Sequence, residues 1–113
     1  MKSKILALSK NEEFKKLLKM KKVSNKYVTI FFGRLENKNN KRLNISFVTK
    51  KKLGIAVKRN KIKRRLRSIM NDAIKEISIN FNYSYLVISK ISMLNNEFKD
   101  IKKTLFQEFK KIK

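Results

Sequence analysis

The spacing of apolar residues changes period several times along the chain, and each change marks an element. Phe14, Leu17 and Leu18 recur at helical spacing among charged positions, and Ser9 with Glu12 three residues on forms a capping box that opens this helix. Residues 26–32, KYVTIFF, are β-branched and aromatic and read as a strand. In RLNISFVT, residues 42–49, the period drops to two: Leu43, Ile45 and Phe47 share one face, and Asn44, Ser46 and Val48 the other. The polar stretch ENKNNKR between these strands reads as the long loop of a hairpin. Helical spacing returns over residues 55–78, where Ile62, Leu66, Ile69, Met70, Ala73, Ile74 and Ile77 form one stripe. YSYLVIS, residues 83–89, is apolar on both faces and is expected at the centre of a sheet. A last helix, expected to be capped by Asn95 or Asn96, carries the stripe Phe98, Ile101, Leu105, Phe106, Phe109 and Ile112.

The predicted order is α-β-β-α-β-α. One central sheet with helices packed on it accounts for all the apolar surface, so the fold class is α+β, a single α-β sandwich domain over residues 1–113. There is no Pro, only Gly33 and Gly54, and no repeat or linker.

Charge changes this picture from a generic domain to one with a partner. There are 31 Lys and Arg against 8 Asp and Glu, a formal net charge of +23. Such an excess repels itself unless a polyanion supplies the counter-charge. With no His and no Cys, zinc sites, thiolate sites and His-based acid–base chemistry are excluded. The longest apolar runs, YVTIFF and YLVI, are far too short to span a bilayer, and the N-terminal stretch does not read as a signal peptide. A cytoplasmic location is expected, with no membrane partner.

Seven of the cations fall in AVKRNKIKRRLR, residues 56–67, with no acidic residue among them. At about 100° per residue, Asn60, Lys63, Arg64 and Arg67 lie side by side on an arc beside the apolar stripe, and Arg59 lies at the stripe's edge. Solvated helix faces ordinarily mix signs to gain i,i+4 pairs; here the first acid is Asp72. Asp72 and Glu76 share a face, and a surface pair relieving nearby positive charge is favoured there over a metal-ligand pair. A membrane-surface helix would also be basic and amphipathic, but this stripe is needed to cover the sheet. Nucleic acid is the better partner, since Arg offers planar forks to phosphate and Asn60 can both donate and accept.

KKKLGIAVKRNKIKRRLR resembles the signature of the bacterial ribonuclease P protein component: a Lys pair, a short spacer, then Arg-Asn-Arg/Lys-x-Lys-Arg opening a helix. Here that is Arg59-Asn60-Lys61-Ile62-Lys63-Arg64, with Arg67 a turn later and the Lys pair drawn from Lys50, Lys51 and Lys52. LSKNEEFKKLL is similar to the family's opening helix. The resemblance implies the protein subunit of an enzyme that removes the 5′ leader of precursor tRNA. It implies that the RNA subunit carries the active site and binds most of the Mg²⁺, and that no catalytic residue lies in this chain.

By the same resemblance, Lys50, Lys51, Lys52, Arg59, Asn60, Lys61, Lys63, Arg64 and Arg67 would contact the RNA subunit. A leader-binding cleft would comprise Phe14, Leu18, Val28, Ile30, Ser46 and Val48, and the βαβ crossover would be left-handed. Two alternatives are a ribosomal or other structural RNA-binding protein, and a DNA-binding module. Patterning almost end to end disfavours the first, because many such proteins carry disordered basic tails. A stripe committed to the sheet disfavours the second.

Overall fold

A computed structural model describes residues 5–8, 11–36, 41–50 and 55–112. A five-stranded sheet is built from β1 (Ile5–Leu6), β2 (Lys21–Ser24), β3 (Val28–Gly33), β4 (Leu43–Val48) and β5 (Ser84–Ser89). Helices α1 (Asn11–Leu18), α2 (Ala56–Glu76) and α3 (Phe98–Lys111) complete it, with a short 3-10 turn at Ile91–Leu94. The spatial order of strands is β1-β4-β5-β3-β2. The architecture is α+β, as the alternation of periods predicts.

Strand β5 holds the centre because its side chains are apolar on both faces: Tyr85, Leu86 and Val87 are all buried. It runs antiparallel to β3 and parallel to β4. The expected hairpin between the second and third predicted elements is therefore corrected. β3 and β4 are separated by β5, and β4 reaches β5 through α2 as a parallel βαβ unit. The hairpin in the fold is instead β2–β3. Asn25 makes its turn, its Oδ1 accepting from the backbone N–H of Tyr27 at 2.8 Å and of Val28 at 3.0 Å. Its Nδ2 donates to Glu108 of α3 at 3.1 Å, tying the turn to the last helix.

The two faces of the sheet are unequal. The larger core sets Val28, Ile30, Phe32, Leu43, Ile45, Tyr85 and Val87 against the stripes of α2 and α3. Ile62, Leu66, Ile69, Met70 and Ala73 are the buried residues of α2, and Ile101, Leu105 and Phe109 those of α3. The smaller cluster, on the α1 side, is Leu8, Leu17 and Leu86, with Phe14, Phe31, Leu35, Val48 and Ile88 packed against it. The capping box at Ser9 lies outside the described residues. The α3 cap is corrected: the residue preceding the helix is Glu97, which makes no side-chain capping bond, while Asn96 Nδ2 donates back to Ser92 O at 2.7 Å.

Candidate nucleic-acid interface

The α2 stripe fixes the rotation of the helix, and so fixes which cations face outward. Asn60, Lys63, Arg64 and Arg67 are all exposed, and with Val57 they line a shallow groove of about 510 Å³. This is the arc that the wheel predicts. The remaining basic residues are not equivalent to these four. Lys61 is exposed beyond the groove. Arg65 is half-buried and donates to Met93 O at 3.5 Å, so it helps hold the 3-10 turn. Arg59 is half-buried, and its Nε is buried with no hydrogen-bond partner. Lys50 is exposed just past β4, while Lys51 and Lys52 lie outside the described residues.

Two electrostatic facts set this face apart. No acid stands in the first turn of α2, where a carboxylate would meet the positive end of the helix dipole; cations stand there instead, against the usual preference. The acids of the helix lie at its other end and are already engaged. Lys102 of α3 places its Nζ 2.9 Å from Asp72 Oδ2 and 3.8 Å from Glu76 Oε2. The hydrogen bond to Asp72, with the charge of both acids, raises the Lys102 pKa above its ordinary value. Asp72 and Glu76 thus serve as the charge-relieving pair expected from the sequence, with an ammonium where a metal ion would have to sit. Among the described residues no group of three or more metal-ligating side chains gathers, and no helix is long and apolar enough to cross a membrane.

On the α1 side the sheet is only partly covered. Helix α1 lies over β3 and β5, while β1 pairs only with Leu43 and Asn44 of β4. Beyond Asn44 that edge of β4 stands open among the described residues. A groove of about 750 Å³ runs along it, lined by Phe14, Ser46 and Val48 on one side and by Lys63, Arg67 and Asn71 of α2 on the other. The two surfaces that the sequence suggests separately therefore meet, sharing Lys63 and Arg67. Ser46 has a structural task as well, its Oγ accepting from Leu8 N–H at 2.8 Å.

Three of the six residues expected in the cleft do not line this groove. Val28 and Ile30 are 0% exposed and face the larger core. Neighbouring side chains of a strand point to opposite faces, so the α1 side receives Thr29 and Phe31 instead. Leu18 is 47% exposed but sits away from the groove. Phe31 and Ile88 on the α1 face were missed. A signal for Phe31 was present: in VTIFF the set Thr29 and Phe31 is more polar than Val28, Ile30 and Phe32, which marks the less deeply buried face. Ile88 gives no such signal, because β5 is apolar throughout.

The fold and this face together define a class: a small, strongly basic α+β domain whose parallel βαβ unit presents an Arg-Asn helix beside a half-open sheet. The family model for ribonuclease P matches residues 3–113. The ribonuclease P protein component of Carboxydothermus hydrogenoformans is 32% identical over 110 residues, covering 94% of this chain and 90% of that one. That of Mesoplasma florum is 34% identical over 98 residues, covering 87% and 86%. Among solved structures, the RNase P protein from Thermotoga maritima superposes with a TM-score of 0.80 at 22% identity, over 96% of this chain and 98% of that one, which shows a shared fold. That of Staphylococcus aureus gives 0.77 at 25% identity, over 94% and 93%. The chain belongs to the ribonuclease P protein family. Membership places it in a ribonucleoprotein endoribonuclease of tRNA processing.

Proposed function

We propose that this chain is the RNA-binding subunit of ribonuclease P: it docks on the RNA subunit through α2 and steadies the 5′ leader of precursor tRNA in the groove between Phe14 and β4. The observation that carries this reading is the continuity of the two surfaces. Asn60, Lys63, Arg64 and Arg67 are held in one orientation by buried Ile62, Leu66 and Ile69, and Lys63 and Arg67 also border the groove of Phe14, Ser46 and Val48. Charge-assisted bonds from Arg to phosphate are among the strong ones. Lys50 and Lys61, both exposed, add charge to this reading, and Lys51 and Lys52 follow Lys50 in the sequence. The chain offers no His or Cys, and its α2 acids are paired with Lys102. The reading therefore assigns the active site and the Mg²⁺ to the RNA, and the protein's charge offsets repulsion between the two RNAs.

Reconstitution tests this. At low Mg²⁺ the RNA subunit with this protein should cleave precursor tRNA much faster than the RNA alone, and high Mg²⁺ should narrow the gap. Robust cleavage by RNA-free protein, or no acceleration at low Mg²⁺, overturns the reading.

Phe14 gives a second check. Its ring is half-buried in the smaller cluster while also lining the groove. Phe14→Ala should therefore cost less folding stability than the roughly 3–5 kcal/mol of a fully buried Phe. Precursor tRNA should bind the assembled holoenzyme more weakly by about 1–3 kcal/mol, the worth of one stacked base. Mature tRNA, which has no leader, should bind unchanged. Thermal melts beside binding of both tRNAs decide it, and equal loss for both removes Phe14 from the site.

A further inference from the structure

At the opposite corner of the sheet lies another cavity, of about 550 Å³. Lys19 and Met20 border it just past the end of α1, with Lys21 of β2, Phe32 and Gly33 of β3, then Arg34, and Tyr83 ahead of β5. Gly33 pairs with Ser84, and Ser84 with Asn44. The cavity is thus at the end of the sheet where β4 begins and on the β2–β3 side. The Phe14 groove is at the end where β4 finishes and on the other edge. The two have no residue in common.

The chemistry of this cavity is specific. Its floor is aromatic: the ring centres of Phe32 and Tyr83 are 5.6 Å apart, and Tyr83 meets the buried Tyr85 edge-on at 6.3 Å. Packed neighbours therefore hold the Tyr83 ring in place, while Tyr83 itself stays half-exposed. Met20 forms a wall, its Sδ packed over Gly33 where a Cβ would crowd it. The rim is cationic, with Lys19, Lys21 and Arg34 all exposed and no acid in the lining. The Arg34 guanidinium lies 5.9 Å from the centre of the Tyr83 ring. A flat aromatic face beside three unopposed cations matches a nucleotide, with its base stacked on the ring and its phosphate on the rim. The nucleotide must come from a single strand, since a duplex keeps its base faces stacked inside.

Helix α1 connects this cavity to the first groove. Phe14 of α1 lines the groove, and Lys19, the first residue past that helix, borders the cavity; Leu18, 47% exposed, lies between. We propose that Tyr83, Arg34, Lys19 and Lys21 form a second single-strand site, which takes one further nucleotide of the precursor tRNA leader after the strand has passed Phe14. This rests on the function proposed above and extends it to a longer stretch of leader.

The test uses assembled holoenzyme and precursor tRNAs whose leaders grow one nucleotide at a time, with mature tRNA as reference. Wild-type affinity should rise with the first leader nucleotides and again when the leader reaches Tyr83. Tyr83→Leu should erase the second rise, a loss of about 5- to 150-fold for long leaders, and leave short leaders and mature tRNA unchanged. Arg34→Ala alters only an exposed side chain and should lower long-leader affinity alone. It decides the matter if Tyr83→Leu does not fold. Unchanged long-leader binding in Arg34→Ala and Tyr83→Leu, or equal losses at every leader length, overturns the second site. A wild type that gains from short leaders in a Phe14-dependent way, but gains nothing from longer ones, also overturns it while leaving the function standing. A wild type that gains from no leader overturns both.

Discussion

Raising salt from 50 to 200 mM should weaken binding of this protein to the RNA subunit by about 10³- to 10⁵-fold, if roughly six to ten phosphates are neutralised. The count follows from the described surface. Lys50, Lys61, Lys63, Arg64 and Arg67 are exposed cations, Arg59 stands half-buried, and no acid interrupts the first turn of α2. Every phosphate bound to such a face releases condensed counterions, and added salt opposes that release. Titrations at several salt concentrations give the slope directly. A flat response would mean that the basic face of α2 is not the contact.

Replacing Arg64 and Arg67 together by Ala should separate binding from folding. Both side chains are exposed, and both line the α2 groove. The fold should stay within about 0.5 kcal/mol of wild type, as for other surface changes. Affinity for the RNA subunit should fall by about 1.5–3 kcal/mol for each charged hydrogen bond lost, and the salt slope should become shallower. Lys99→Ala with Lys103→Ala removes the same charge from an exposed part of α3. If position matters and not net charge alone, that pair should weaken binding far less. Calorimetric melts and binding isotherms on the two double variants decide between them, and equal losses would reduce α2 to one part of a diffuse cationic surface.

Much of this was legible in the sequence because helical periodicity is local. The α2 stripe, and with it the arc of Asn60, Lys63, Arg64 and Arg67, needs only the 3.6-residue repeat and the sign of the charges. The central place of β5 was legible for a similar reason, since a strand apolar on both faces must be covered on both. Strand pairing is not local, and there the reading failed. Nothing between positions 33 and 43 announces that residues 84–89 will insert between β3 and β4.

Two strands escaped notice altogether. β1 has only two residues, and β2, KKVS, has one apolar residue in four, as suits a Lys-bearing edge strand. The error at Val28 and Ile30 was one of parity. In VTIFF only Thr29 marks the less deeply buried face, and a shift of one residue exchanges the whole set. The expected Asn caps of α3 failed for another reason: the helix begins at Phe98, so Glu97 and not Asn95 or Asn96 holds the cap position.

The central claim is that the chain's partner is the RNA of ribonuclease P. Purifying the protein from its host and sequencing the RNA that comes with it tests this most directly. The account predicts one abundant, structured, non-ribosomal RNA, lost when Arg64 and Arg67 are replaced by Ala. Recovery of ribosomal RNA or DNA in its place would contradict it.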